Sequence, residues 1–330
     1  MRVSTDSMAV EQRVKAPQPQ PEQRERRQAD PTPGSLSGRD YIAILRRSFS
    51  EFRQDNLTTV AAALAYYAFL AIPSVLMVAI GIFALVSNPS EAATLVDRLS
   101  GIMPADAQKL LQDSLGRLTN DKGTGVAILI VGSVLALWSL TGAMQNVMWG
   151  LNIAYDRDET RGFVRKRITG LTMVAFAGGA VLLVFGLLVL GPHLTTWIGN
   201  TVGNESLVTW IWWTAQWPIL LAGLLIAFAG ILYLGPNVDH PRWSFLSFGA
   251  ALAIVLFLLL SGAFAFYVSQ FASYNKTWGS LSAVVVMLTW LWLAGVALLF
   301  GAEVNAEAER SRELRRGEPA EVELQAPPKA

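Results

Sequence analysis

The residues able to do chemistry are few and unusually placed. The 330-residue chain has two histidines, His193 and His240, and no cysteine. Thiolate metal sites and disulfides are therefore excluded. Nor is there a glycine-rich loop ending in Gly-Lys-Ser/Thr, the phosphate cradle of ATP-binding proteins. What remains is a set of polar side chains inside apolar stretches: Tyr66, Tyr67, Ser74, Gln145, Asn146, Gln216, Thr289 and Glu303. Such groups do no covalent chemistry alone. They can hydrogen-bond a polar solute and, at Glu303, bind charge or exchange a proton, which makes them candidates for a solute path. Polar groups in hydrocarbon are costly and look for partners inside the protein or in a wet cavity.

The elements that position them follow from the distribution of charge. No Asp, Glu, Lys or Arg occurs in residues 60–87, 123–155, 168–203, 206–238, 243–275 or 277–302. Each run exceeds the roughly 20 residues that cross a hydrocarbon core as a helix. Lipid leaves the backbone no outside partner, so each run reads as a helix rather than a strand. The sequence therefore predicts an all-α, six-transmembrane-helix bundle, with spans at about 58–86, 125–147, 168–190, 208–234, 244–268 and 279–302.

Positive charge orients the bundle. Of 26 Lys and Arg, 21 fall in the two tails and the loops at 148–167 and 235–243. The positive-inside rule places these segments, with both termini, on the cytoplasmic side of the membrane. His193 then lies on the outer side and His240 on the inner, so they cannot share the clustered site that metal-assisted hydrolysis requires. Metal ligands and cofactors are expected to be absent.

Residues 1–36 are rich in Pro, Gln and mixed charge and lack an apolar leader segment, which predicts a disordered cytoplasmic tail. A second such tail is expected at 309–330, leaving 37–308 as the membrane domain. Ile42, Leu45, Phe49 and Phe52 recur at helical spacing opposite Arg46, Arg47 and Arg53. This predicts an N-terminal cytoplasmic interfacial helix, lying on lipid or packed against the protein's own loops. Apolar residues between 87 and 124 predict a short amphipathic helical cap on the outer face.

The first span, TTVAAALAYYAFLAIPSV, opens on small residues. Ala61, Ala65, Ala68 and Ile72 form a stripe along which a second helix can approach closely. Pro73 and Pro218 predict helix kinks, and kinked spans at matching depth can line a binding site. Leu140–Asn146 and Leu299–Asn305 share an L-x-G-A-x-x-N pattern. Its placement on spans two and six does not fit an inverted three-plus-three repeat.

AAALAYYAFLAIPSVLMV resembles the first-helix signature of the YihY/BrkB membrane proteins. The resemblance continues through Asn152 of LNIAY, through Tyr233 and Pro236, through Tyr274 and Gly279, and through Trp290, Gly301, Glu303 and Asn305. Trp278 departs from it, standing where a tyrosine is expected. The resemblance implies a six-helix bacterial inner-membrane protein of a family linked by name to virulence and historically labelled ribonuclease BN. The basic residues Arg161, Arg165, Lys166 and Arg167 read as positive-inside topology rather than as an RNA-binding patch, and Arg165, Lys166 and Arg167 as partners for Glu303. No nucleic-acid partner is expected; membrane lipids and a second copy of the chain are. The first functional reading is a transporter or exporter of a polar or lipid-linked solute, the alternative a non-transporting envelope scaffold or lipid-organising protein. The chain is expected not to be an enzyme.

Overall fold

The computed structural model describes residues 38–86, 122–202, 204–238, 247–270 and 280–316. The expected outer cap over 87–121, His240, Tyr274, Trp278, Gly279 and the 1–36 tail lie outside the described residues. Every element described is a helix: α1 Gly38–Gln54, α2 Leu57–Val86, α3 Lys122–Ala154, α4 Phe163–Val202, α5 Glu205–Leu234, α6 Phe248–Gln270 and α7 Ser280–Arg316. All but α1 are long and apolar enough to cross a membrane.

The helices overrun the spans read from hydropathy. α4 has 40 residues, which at 1.5 Å per residue is about 60 Å, twice the hydrocarbon thickness. Apolar runs mark only what lipid surrounds, whereas main-chain hydrogen bonding continues wherever packing supports it. The same reason corrects the tail expected from residue 309. α7 runs on to Arg316, with Glu313 buried and Ser311 accepting a bond from Arg47 of α1 at 2.7 Å.

The six spans form a closed ring in chain order. Each packs on the next, and α7 returns to α2 while also touching α3 and α5. Small residues make the closure possible. A Cβ added to Gly295 of α7 would stand 3.3 Å from the Cβ and the carbonyl oxygen of Ala61. The small-residue stripe on α2 is thus a helix-packing surface, with Ala61 and Ala65 buried. α6 and α7 meet still more closely: a Cβ on Gly301 would stand 2.6 Å from the Gly249 oxygen.

α1 divides the stripe expected of it. Ile44, Ser48 and Phe52, at i, i+4 and i+8, are buried, with Phe52 edge-on to Phe300 of α7 at 5.6 Å. Ile42 and Phe49 are 68% and 57% exposed. Arg47, half exposed, pairs with Glu307 of α7 at 2.9 Å. One flank of α1 therefore packs on the bundle and the other is open. This places the start of the described chain and the end of α7 at one end of the ring, here called the charged end.

α3 stops there on a left-handed residue. Asp156 has φ +50°, and the N–H groups of Asp156 and Arg157 return to the oxygens of Ile153 and Asn152 at 3.0 and 2.9 Å. These two bonds satisfy carbonyls that a helix end otherwise leaves open.

Candidate functional site

Among the described residues three polar assemblies stand out, two at the charged end and one between spans. The first pins the α3–α4 loop to the end of α5. Arg161, 1% exposed at its side chain, pairs with Glu159 at 2.7 Å. It also donates to the carbonyl oxygens of Leu234 and Gly235 at 3.1 and 2.7 Å. A cation is thereby placed on the orphan carbonyls and negative dipole end of α5. Asn152 donates to Glu159 and accepts from the Asn237 N–H, while the Asn237 amide donates to the Asp158 oxygen and to Thr160. Burial alone would lift the Glu159 carboxyl, but the side-chain and main-chain donors of Arg161 hold it below its ordinary value. Asn152 was legible as a motif residue. Arg161 as a helix cap was not, because the sequence shows it only as one of several loop cations.

The second assembly joins α1, α3 and α7. Glu307 is buried between Arg47 and Arg310, and Arg310 also holds Asp156 at 2.6 Å. Burial, then Asp156 and Glu51, push the Asp55 carboxyl up. Burial, then Glu309 and Glu303, push up the Tyr155 hydroxyl, which bonds to Asn305. Glu303 is buried nearby among like charges, with Asp55, Glu307, Asp156 and Glu51 around it. Its Oε2 has no partner among the described residues. The expected pairing of Glu303 with Arg165, Lys166 or Arg167 is not found among the described residues: Glu303 Oε2 is unpartnered, and Arg167 lies over the Trp138 ring at 4.2 Å. Asp156 and Asp158 form a D-x-D pair in the α3–α4 loop, where the sequence was expected to offer none on the cytoplasmic face. No group of three or more His, Asp or Glu is placed to hold a metal ion among the described residues.

The third assembly is a cleft of about 400 Å3 between α2 and α3, lined by Tyr67, Leu70, Trp138, Ser139, Gln145 and Asn146, with Ala71, Gly142 and Ala143 between them. Three of the predicted path residues, Tyr67, Gln145 and Asn146, meet there. Two more stand beside it: Ser74 shares a 3.3 Å hydrogen bond with Ser139, and Tyr66 packs edge-on to Tyr67 at 5.6 Å. Gln216, Thr289 and Glu303 are not among its lining residues. Thr289 donates to Val285 of its own helix at 2.8 Å.

The prolines do not build this cleft. Pro73 and Pro218 are exposed and lie inside helices assigned without a break. α2 packs chiefly on α3 and α7, and α5 on α4 and α6. Two kinked spans lining one site is therefore not the arrangement found.

The remaining motif residues that are described serve packing. Gly301 lets α6 approach, and Asn305 accepts the Gly249 N–H at 2.9 Å near the start of α6. Asn146 instead donates to Gly142 of its own helix at 3.0 Å, so the two L-x-G-A-x-x-N stretches are not structural equivalents. Trp290 bonds Ser261 of α6. Pro236 is buried and Tyr233 half-buried beside the Arg161 assembly.

Comparison with known proteins agrees with this architecture. The chain is 27% identical over 273 residues to the ribonuclease-like protein YfkH of Bacillus subtilis, covering 83% of this chain and 98% of YfkH. It is 27% identical over 284 residues to a UPF0761 membrane protein of Vibrio campbellii, covering 83% and 82%. A UPF0761 membrane protein of Tolumonas auensis is 30% identical over 162 residues, 47% of this chain and 51% of that protein. No solved structure matches the chain. The family model described as Virulence factor BrkB matches residues 48–325, and with the six-span ring and its motif residues in place, this multi-pass membrane protein belongs to the BrkB family.

Proposed function

We propose that the protein is a transporter of a polar or lipid-linked solute in the bacterial inner membrane, with both termini in the cytoplasm. The observation that carries this reading is the cleft, where Tyr67, Ser139, Gln145 and Asn146 gather between two spans. Polar groups at membrane depth cost free energy unless paired, hydrated or used. A bundle that served only as a scaffold would gain nothing from gathering them. Main-chain packing at Ala61–Gly295 and Gly249–Gly301 holds the ring without them. The ribonuclease-like name of YfkH is not extended to this chain. Asp156 is held by Arg310, Glu159 by Arg161, and Glu307 by Arg47 and Arg310, so these acids serve as structural ion pairs.

The test is untargeted metabolite and lipid profiling of cells and medium. A deletion strain is compared with strains complemented by wild type, by Tyr67→Phe and by Glu303→Gln, at matched membrane abundance. Transport predicts a compound retained in the deletion and in at least the Tyr67→Phe strain, and released with the wild type. Unchanged compound levels in every strain, with an envelope phenotype that Ala65→Leu alone reproduces, would establish the scaffold instead.

A further inference from the structure

The α2–α3 cleft and its edge hold donors that lack acceptors. Gln145 Nε2 is enclosed and has no hydrogen-bond partner among the described residues, and Arg167 Nε is in the same condition. The Arg167 guanidinium is stacked against aromatic rings, 4.2 Å from the Trp138 centroid and 5.5 Å from that of Phe163. Trp138 is itself a wall of the cleft. Aromatic stacking leaves a guanidinium its full charge and its in-plane N–H donors, the geometry that suits phosphate oxygens.

Several arginines at the charged end are matched differently. Arg47, Arg161, Arg310 and Arg312 each hold a carboxylate. Arg167 has no ion pair among the described residues, and the cleft beside it has no acidic lining residue. No described residue therefore supplies an anion to Arg167. The cleft also opens sideways. Tyr67, Leu70 and Trp138 are 42%, 51% and 65% exposed, on spans whose outer surface meets lipid. A ligand entering there can keep acyl chains in the bilayer while its polar end reaches Gln145.

We propose that the α2–α3 cleft, with Arg167 at its Trp138 wall, binds the phosphate-bearing head group of an anionic lipid. The proposal deepens the transport reading by naming the class of solute, and it rests on that reading for the cleft's role as a path. Gln145 donates to a head-group oxygen, Arg167 supplies the opposing charge, and the exposed faces of Leu70 and Trp138 lie along the chains.

The experiment uses the full chain in detergent and reads lipid retention by native mass spectrometry. The probes are dioleoyl phosphatidylglycerol, dioleoyl phosphatidylcholine and inorganic phosphate. Wild type is expected to retain phosphatidylglycerol over phosphatidylcholine. Arg167→Gln should weaken phosphatidylglycerol binding by roughly tenfold, as expected for loss of a charge-assisted contact. Arg167→Lys should keep part of it, and Gln145→Leu should also weaken it. Arg165→Gln, which removes an equal charge two residues away, should bind as wild type does. Equal retention of the two lipids by wild type overturns the proposal. So does an equal loss in Arg165→Gln and Arg167→Gln, which would mean diffuse attraction to basic residues. Capture of inorganic phosphate without phosphatidylglycerol overturns the lipid assignment. Size-exclusion profiles confirm that the variants remain folded. Lipid movement between leaflets of proteoliposomes is read separately, so specific binding without movement sinks the transport reading and leaves the binding site standing.

Discussion

Arg161 donates to the main-chain oxygen of Gly235 at 2.7 Å, although 74 positions separate them along the chain. That bond, with its neighbour to Leu234, ends α5 and fixes the α3–α4 loop against it. Replacing Arg161 by Ala leaves Glu159 without its buried partner and two carbonyls open. The expected loss is about 3–5 kcal/mol, the usual consequence of breaking a buried pair. Arg161→Lys should recover only part, because one ammonium cannot span the same acceptors. Thermal unfolding in detergent measures both; an unchanged midpoint for Arg161→Ala would refute the capping role.

Two carboxyls should give stability opposite dependences on pH. Glu159 is held below its ordinary 4.5, so its contribution is present above that value and lost as pH falls through the lower folded value. Asp55 is held above its ordinary 3.8, so its contribution is present below 3.8 and lost as pH rises through the higher folded value. Asp55→Asn should therefore raise the unfolding midpoint at pH 7, the gain shrinking toward pH 4. Glu159→Gln should lower the midpoint at pH 7, its deficit shrinking as the wild type is acidified. Midpoints collected between about pH 3 and pH 8 test both signs.

The α6–α7 crossing should not tolerate a methyl group. Gly249→Ala and Gly301→Ala each drive a Cβ into the facing helix, where overpacking costs about 1–3 kcal/mol. Gly178→Ala is the control, since a Cβ there meets nothing within 4 Å. Equal midpoints for all three would show that the helices do not approach as closely as described.

The α2–α7 contact predicts a graded response. Gly295→Ala brings a Cβ to 3.3 Å from Ala61, and a small shift can absorb it. Gly295→Leu cannot be absorbed and should break the nearby bond from Trp292 Nε1 to the Thr58 oxygen, 3.0 Å in the native chain. Membrane abundance and unfolding midpoint should fall little for Ala and sharply for Leu.

Glu307 should control the docking of α1. It holds Arg47, which is 50% exposed, and Arg310, which is not. Glu307→Gln removes the charge that both arginines share. Limited proteolysis should then cut near the α1–α2 junction at Asn56 faster than in wild type. Arg47→Ala should do so more weakly, because a half-exposed pair is worth about 1 kcal/mol or less.

What the sequence determined alone was whatever depends on neighbours along the chain. Charge-free runs are local, so the number and order of the spans were legible from them. So was the small-residue stripe on α2, because residues spaced by about one turn share a face before any partner is known. The predicted path was half legible for a related reason. Tyr67, Gln145 and Asn146 could be named as polar residues in apolar runs, but only the α2–α3 crossing brings them into one cleft. It leaves Gln216, Thr289 and Glu303 out of the lining. Partner choice was not legible at all. Arg161 and Arg167 stand six positions apart in one basic stretch, yet one caps α5 through a buried pair and the other lies over Trp138. The ends of α3 and α7 escaped hydropathy because contacts with other helices sustain them beyond the apolar run. Tertiary structure decided these points because a hydrogen bond or ring contact is set by distance in space, and the ring closure, not chain spacing, sets that distance.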